Sequence, residues 1–227
     1  MARVDDGYAI YPHVFQQTEI DQVLEMLSGG RIERSKAGAR RILGIPAVRL
    51  LANDQRLLAI ANAFVGPAAV PFRATLFDKS ATANWLVVWH QDTALPLRVR
   101  FDDREWGPWT TKAGGLHAHA PAWALEQVVA LRVSLDDSTA TNGPLRVLPD
   151  SHRDGVLSDK QIADRARHAA PVQCVASGGG VVVMRPLTVH ASSIHGRTAA
   201  TSAAHRICLD VESGHRYRAV RRLVMRE

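Results

Sequence analysis

The stretch Trp85-Leu86-Val87-Val88-Trp89-His90-Gln91-Asp92 carries the clearest structural signal in this chain. Its aliphatic and aromatic residues predict a strand that ends at the polar triplet. Residues two apart on a strand point to the same face, so His90 and Asp92 would lie side by side. A second histidine, His190, on a distant strand would complete a face of two imidazoles and one carboxylate. Such a face suits non-haem Fe(II), because it leaves coordination positions open for a co-substrate and oxygen.

The segments around this stretch predict a mainly β fold with flanking helices. Helical patterns occur at 18–27 and 54–64, and both are followed by glycine. Many short runs of β-forming residues, separated by turn sequences, are typical of a sandwich or jelly roll. The predicted strands are 8–11, 70–77, 85–90, 128–135, 145–148, 172–175, 181–184 and 207–211.

The length of 227 residues is sufficient for one domain of this kind. We predict a single domain over 1–227, with a helical N-terminal part at about 1–68 and a jelly-roll core at about 69–212. A basic C-terminal tail is predicted at 213–227. Residues 93–121 form a long stretch without clear periodicity, and long loops in compact domains are often functional. We therefore expect this stretch to shape the substrate pocket.

The composition is ordinary for a soluble globular protein, with 46% hydrophobic and 22% charged residues. No apolar run approaches the roughly 18 residues of a membrane span, and the first residues lack a secretory signal. Cys174 and Cys208, the two cysteines, lie far apart, which fits the reducing cytoplasm. The net charge of +6 favours an anionic partner, but no interleaving of basic and aromatic residues indicates a nucleic-acid platform.

Five blocks of sequence, in this order, carry a family resemblance. They are Trp89-His90-Gln91-Asp92, Leu131-Arg132-Val133-Ser134-Leu135-Asp136-Asp137, the twelve-residue block from Asn142-Gly143-Pro144 to Ser151-His152-Arg153, the ten-residue block from Met184-Arg185-Pro186 to His190-Ala191-Ser192-Ser193, and His205-Arg206. Over about 5–212 the chain resembles the phytanoyl-CoA dioxygenase-like family of Fe(II)- and 2-oxoglutarate-dependent oxygenases. One departure is Asp150, where the family often has Gly, and Asp tolerates the same turn.

The resemblance implies a double-stranded β-helix (cupin-like jelly roll) and a dioxygenase that hydroxylates its substrate with O2, releasing succinate and CO2. It implies His90, Asp92 and His190 as the iron ligands and catalytic centre. Related halogenating enzymes have Gly or Ala at the position of Asp92, so this residue favours hydroxylation.

The resemblance also implies an arginine as the partner of the distal carboxylate of 2-oxoglutarate. Arg206 and Arg197 are both candidates, and Arg206 is preferred because it opens an apolar strand and can point into a barrel. A guanidinium suits this role because it presents paired donors and stays charged. Ser192, two residues after His190, is a second candidate contact for 2-oxoglutarate.

Four residues are candidates for contact with a small-molecule substrate. Gln91 lies between two predicted metal ligands, and Trp109, His117 and Trp123 lie in or beside the stretch 93–121. Aromatic side chains commonly line such pockets.

Three alternative functions remain open: a non-catalytic jelly-roll module, a zinc hydrolase on the same scaffold and a nucleic-acid demethylase. The last class carries a second arginine six residues after the 2-oxoglutarate arginine, and this chain has Glu212 there. A nucleic-acid partner is therefore disfavoured. Neither the identity of the substrate nor the oligomeric state has a signal in the sequence.

Overall fold

A computed structural model of the chain describes residues 6–28, 32, 38–79, 86–112, 114–193 and 206–215, with the backbone alone at 79, 206–210 and 215. The strands of this part are β1 (Tyr8–Tyr11), β2 (Ala39–Arg40), β3 (Ala69–Lys79), β4 (Val87–His90), β5 (Ala94–Leu97), β6 (Trp109–Lys112), β7 (Gly115–His119), β8 (Val128–Ser134), β9 (Leu145–Val147), β10 (Val172–Cys174), β11 (Val181–Met184), β12 (His190–Ser192) and β13 (Arg206–His215). The α-helices are α1 (Gln17–Ser28), α2 (Pro46–Ala52), α3 (Gln55–Val65), α4 (Ala122–Leu125) and α5 (Asp159–His168).

Two antiparallel sheets build the core. The major sheet has six strands in the order β1-β11-β8-β13-β3-β2, and the minor sheet has four in the order β10-β9-β12-β4. The mainly β jelly roll with flanking helices that the sequence predicts is thereby confirmed. The N-terminal part is not purely helical, because β1 pairs with β11 at one edge of the major sheet.

The two faces of the major sheet have different neighbours. On β8, Val129, Leu131 and Val133 belong to a buried cluster with the apolar residues of α1, α2 and α3. Ala130 belongs to a second cluster with Leu145 and other residues of the minor sheet. Because side chains alternate along a strand, the even-numbered residues of β8 face the space between the sheets.

The stretch 93–121 is more regular than the sequence predicts. It contains a third antiparallel sheet, of three strands in the order β5-β7-β6. Leu95, Leu97, Trp106, Ala118 and other apolar residues pack there into a separate buried cluster. The apolar positions of these strands are too few and too irregularly spaced for the alternation to be visible in the sequence.

Helix α5, which the sequence analysis misses, covers the outer face of the minor sheet. Ile162 of α5 packs against Leu148 and Val189, with Trp89 of β4 at the edge of this cluster. The helix begins with a capping box, in which the Ser158 hydroxyl accepts from the backbone of Gln161 and the Gln161 side chain bonds the backbone of Ser158. This Ser-x-x-Gln pattern is a known start signal, but the helix is mostly polar and lacks a strong apolar period.

The boundary between core and tail also differs from the predicted one. Strand β13 continues to His215, so the first three residues of the predicted tail pair with β3 and, in part, with β8. The basic residues at 216–227 lie outside the described part of the chain. Within that part, no helix is long and apolar enough to cross a membrane.

Candidate metal centre and its cavity

The two histidines of the candidate centre lie on paired strands of the minor sheet. His190 at the start of β12 is directly opposite His90 at the end of β4, and the register shifts between His190 and Ser192. Such irregularities redirect side chains and are common beside active sites. Asp92 lies two residues beyond β4, where its backbone N–H donates to the carbonyl of Pro186 over 2.9 Å.

The three side chains converge. His90 Nε2 is 3.8 Å from Asp92 Oδ1, and His190 Nε2 is 3.5 Å from Asp92 Oδ2. One possible ligand atom from each of the three residues lies within 4.8 Å of the other two. Among the described residues, this is the one group of three or more His, Cys, Asp or Glu side chains with such an arrangement.

Backbone hydrogen bonds orient both imidazoles. His90 Nδ1 is 2.8 Å from the carbonyl oxygen of Val88, and His190 Nδ1 is 2.9 Å from that of Thr188. A carbonyl oxygen only accepts, so Nδ1 carries the proton in each ring and the Nε2 lone pair faces Asp92. Outer hydrogen bonds of this kind fix the tautomer of metal-binding histidines. Two imidazole nitrogens and one carboxylate oxygen therefore fit a non-haem Fe(II) ion.

The charges around the site favour the ligand forms of these groups. Burial acts to raise the pKa of Asp92, but His190, His90, Arg73 and Arg132 together hold that pKa below its usual range. Burial lowers the pKa of His190, although Asp92 opposes this effect. At neutral pH the pair is therefore a carboxylate beside a neutral imidazole, as metal binding requires.

The metal-binding side chains open into a cavity of about 470 Å³ between the sheets. This volume falls in the range of small-molecule sites. Ser192 and His117 line the cavity, as the sequence predictions for them require. Ser192 is buried on β12. Arg206 is the first residue of β13 and pairs with Lys79, but its side chain lies outside the described atoms, as does all of Arg197.

Gln91 lines the cavity, as its prediction as a substrate contact requires, but its amide also bonds the backbone of two loops, so the substrate contact stays a prediction. Its Nε2 donates to the carbonyls of Leu187 and Gly155 over 2.7 and 2.9 Å, and its Oε1 accepts from the N–H of Leu157 over 2.8 Å. The side chain is 8% exposed. Gln91 thus ties the end of β4 to two loops and holds Asp92 in position.

Trp109 and Trp123 are not among the described residues that line the cavity, so the structure offers no support for the substrate contacts predicted for them. Trp109 packs edge-on against Phe101 in the cluster of the three-stranded sheet, with ring centroids 5.2 Å apart. Trp123 packs edge-on against Trp106 and is 40% exposed. The sheet formed by 93–121 has its own small core, which these indoles cover.

The cavity also contains cationic residues that the sequence analysis does not assign to the site: Arg40, Arg41, Arg73, Lys112 and Arg132. For two of them the sequence does contain a signal. Arg132 interrupts the otherwise apolar run of β8, and Arg73 is a polar residue two positions before Thr75 on β3, so the two share one face of that strand. A charge inside a buried strand indicates an interior site, because burying an unsatisfied charge is costly.

Comparisons with known proteins agree with this architecture. The family model of phytanoyl-CoA dioxygenase (PhyH) matches residues 4–199. The chain belongs to this family. The family consists of Fe(II)- and 2-oxoglutarate-dependent oxygenases, so the chain is an enzyme of that class. The matched range includes the three metal-binding candidates and ends before Arg206.

Solved structures with the same fold share little sequence with this family member. AviO1 from Streptomyces viridochromogenes Tue57 is 21% identical, with 93% of this chain and 91% of that chain covered and a TM-score of 0.64. HygX from Streptomyces hygroscopicus, determined with nickel and 2-oxoglutarate, is 17% identical, with coverages of 94% and 84% and a TM-score of 0.65. EctD from S. alaskensis in its apoform is 19% identical, with coverages of 97% and 76% and a TM-score of 0.66. No curated protein matches the sequence.

Proposed function

We propose that this PhyH-family protein hydroxylates a small or medium organic molecule, using Fe(II), 2-oxoglutarate and O2 and releasing succinate and CO2. The observation that carries the proposal is the convergence of His90, Asp92 and His190, with both Nε2 atoms directed at the carboxylate. Bound iron would supply the oxidation of an unactivated C–H bond, which protein side chains cannot perform.

Different side chains are assigned to the metal, to 2-oxoglutarate and to the substrate. His90, Asp92 and His190 would hold the metal and leave three of its six positions open. Ser192 and Arg206 are assigned to the carboxylates of 2-oxoglutarate. The buried position of Ser192 beside His190 supports its part of this assignment, whereas that of Arg206 rests on the family pattern. His117 is assigned to the substrate.

The three-residue ligand set itself favours hydroxylation. Asp92 occupies a coordination position that a halide would need, so the proposed site has no room for halogen transfer. The free and buried thiol of Cys174 is compatible with the cytoplasmic location that we propose for the enzyme.

Anaerobic addition of Fe(II) and then 2-oxoglutarate to the protein, followed by visible absorbance, tests the proposal. We expect a weak metal-to-ligand charge-transfer band that is lost in Asp92→Ala. In Arg206→Ala the band should require more 2-oxoglutarate. Asp102→Ala and Arg98→Ala, which change exposed residues outside the cavity, are the matched controls and should behave as the wild type. Absence of the band in wild-type protein with bound metal would instead favour a zinc enzyme or a non-catalytic module.

A further inference from the structure

Three cations gather at the solvent-facing part of the cavity. Arg40 ends β2, Arg41 follows it, and Lys112 ends β6 on the separate small sheet. All three are exposed, yet all three line the same cavity as the metal-binding trio. We call these three residues the cationic rim.

The small sheet approaches the segment that carries Arg40 and Arg41. A Cβ atom placed on Gly114, beside Lys112, would lie 3.3 Å from the Arg41 guanidinium, so the β6–β7 turn approaches Arg41. His117 on β7 lines the same cavity. Burial lowers the pKa of His117 most, and the cations Arg73, Lys112 and Arg40 lower it further, which places two rim residues and Arg73 within electrostatic reach of one imidazole.

The charges of the described lining residues do not balance. Five cationic side chains face two carboxylates, which leaves an excess of three positive charges. Asp92 belongs to the metal-binding trio, and Glu212 forms an ion pair with Arg73. A bound Fe(II) ion and the dianion of 2-oxoglutarate would cancel each other and leave this sum over the described residues unchanged.

The backbone holds these cations in place. Arg40 pairs with Thr75 of β3, another cavity residue, at the edge of the major sheet. Arg41 has a φ of +59°, a left-handed conformation that few residues other than glycine adopt. Backbone of this kind persists where the surrounding structure imposes it, and it is common at ligand sites. In the part of the chain that the structure describes, no carboxylate pairs with Arg40 or Lys112.

We propose that the substrate carries a carboxylate or phosphate group, and that Arg40, Arg41 and Lys112 hold this group at the mouth of the cavity. This inference rests on the proposed function, because it requires the rest of the substrate to extend from the rim towards the metal. Guanidinium and ammonium groups at a partly enclosed mouth attract anions by focusing the field and by charge-assisted hydrogen bonds.

Calorimetric titration with inorganic sulfate tests the rim, with the anaerobic Fe(II)- and 2-oxoglutarate-loaded protein at constant ionic strength. Sulfate is an oxyanion probe that does not precipitate Fe(II), and saturating 2-oxoglutarate blocks its own subsite. The double variant Arg40→Gln/Lys112→Gln should raise the Kd of sulfate at least about tenfold. Arg98→Gln/Lys160→Gln changes the net charge equally at exposed residues outside the cavity and should leave the Kd within about twofold.

Equal weakening in both double variants, or no sulfate binding by the wild type, would overturn the proposal. The same titration of metal-free protein separates this failure from failure of the proposed function. If sulfate binding is weakened by Arg40→Gln/Lys112→Gln but the protein shows no charge-transfer band, the proposed oxygenase function is refuted and the anion site is supported. If the charge-transfer band is normal but sulfate binding is unaffected by the double variant, only the proposed anion site is refuted.

Substrate screening supplies a second readout, in which acids are compared with their neutral amides for stimulated succinate release. The acid should be the better substrate, and Arg40→Gln/Lys112→Gln should raise its KM while kcat changes little. Preference for the amide by the wild-type enzyme would also overturn the proposal.

Discussion

The inner and outer ends of the cavity are built in different ways. The two histidines of the metal-binding trio (His90, Asp92 and His190) lie on the paired strands β4 and β12, Asp92 lies two residues beyond β4, and both imidazoles are held by backbone carbonyls. The cationic rim is carried by a two-residue edge strand and by the edge of a small separate sheet. The side-chain exposure is 5% for His190 but 36% for His90 and 44% for Asp92, so the trio is only partly shielded, whereas all three rim residues are exposed.

This difference separates two demands on one site. Metal ligands need fixed directions, which buried strands and main-chain hydrogen bonds provide. Recognition of a charged group tolerates longer and more mobile side chains, because the attraction acts over several ångströms. The rim can therefore change without disturbing the metal centre, and this independence is open to test.

The largest effect is expected when one cavity histidine is compared with another. His190→Ala removes a metal ligand and should lower 2-oxoglutarate-dependent succinate release by about 100-fold or more. His119→Ala removes an exposed histidine of the same cavity that contacts Thr93 Oγ1 and should cost at most about fivefold. The measurement is the initial rate at saturating Fe(II). Similar losses in the two variants would contradict the assignment of His190, rather than cavity histidines in general, to the metal.

A smaller effect, on stability, is expected behind the metal centre. Gln91→Leu keeps the volume but leaves the buried carbonyl of Leu187 and the partly buried carbonyl of Gly155 and N–H of Leu157 without their partner, so the free energy of unfolding should fall by about 2–4 kcal/mol. Denaturant unfolding of the metal-free protein measures this change. Gln173→Leu, at an exposed position of β10, is the control and should change stability by less than about 0.5 kcal/mol.

The activity of the folded Gln91→Leu protein then distinguishes positioning from substrate contact. If Gln91 positions Asp92, the substitution should weaken metal binding, because Asp92 is the next residue in the chain. Asp92 itself takes no part in the hydrogen bonds of the Gln91 side chain. A rise in substrate KM with unchanged metal affinity would instead support Gln91 as a substrate contact.

The smallest effect is expected at the small sheet beside the cavity. Trp123→Phe keeps the edge-on contact with Trp106 and should change the free energy of unfolding by less than about 1 kcal/mol and KM by less than about twofold. His117→Ala, in the cavity wall, is the contrasting variant and should raise KM. Steady-state kinetics with the substrate found by screening measures both. A larger rise in KM for Trp123→Phe than for His117→Ala would refute the assigned cavity wall.

Local patterns explain which parts of the site could be predicted. His90 and Asp92 are two residues apart after a run of β-forming residues, and this spacing alone predicts their common direction. Alternation also places Gln91 on the opposite side from its neighbours. That Gln91 meets the backbone of Leu187 and Gly155 could not be predicted, because these partners are brought together only by folding.

The small sheet has no such local pattern. Aromatic residues in a long stretch without periodicity often line a pocket, which is why Trp109 and Trp123 are substrate candidates. Instead, 93–121 contains three strands, Trp109 packs against the small core of that sheet, and Trp123 packs edge-on against Trp106 while staying 40% exposed. Arg40 and Arg41 gave no signal, because two arginines in a polar segment usually lie on an ordinary solvated surface.

The sequence by itself determined the mainly β fold, the order of most strands and the two-histidine, one-carboxylate set, because these depend on residue type, periodicity and motif order. The assignment of Arg206 to 2-oxoglutarate stays a prediction from the family pattern. Only the tertiary structure decided that His190 lies opposite His90, that the Gln91 amide bonds two loops and that Arg40 and Arg41 line the same cavity as Lys112 of a separate sheet. These facts depend on contacts between residues far apart in the chain, and local sequence preferences carry no information about such contacts.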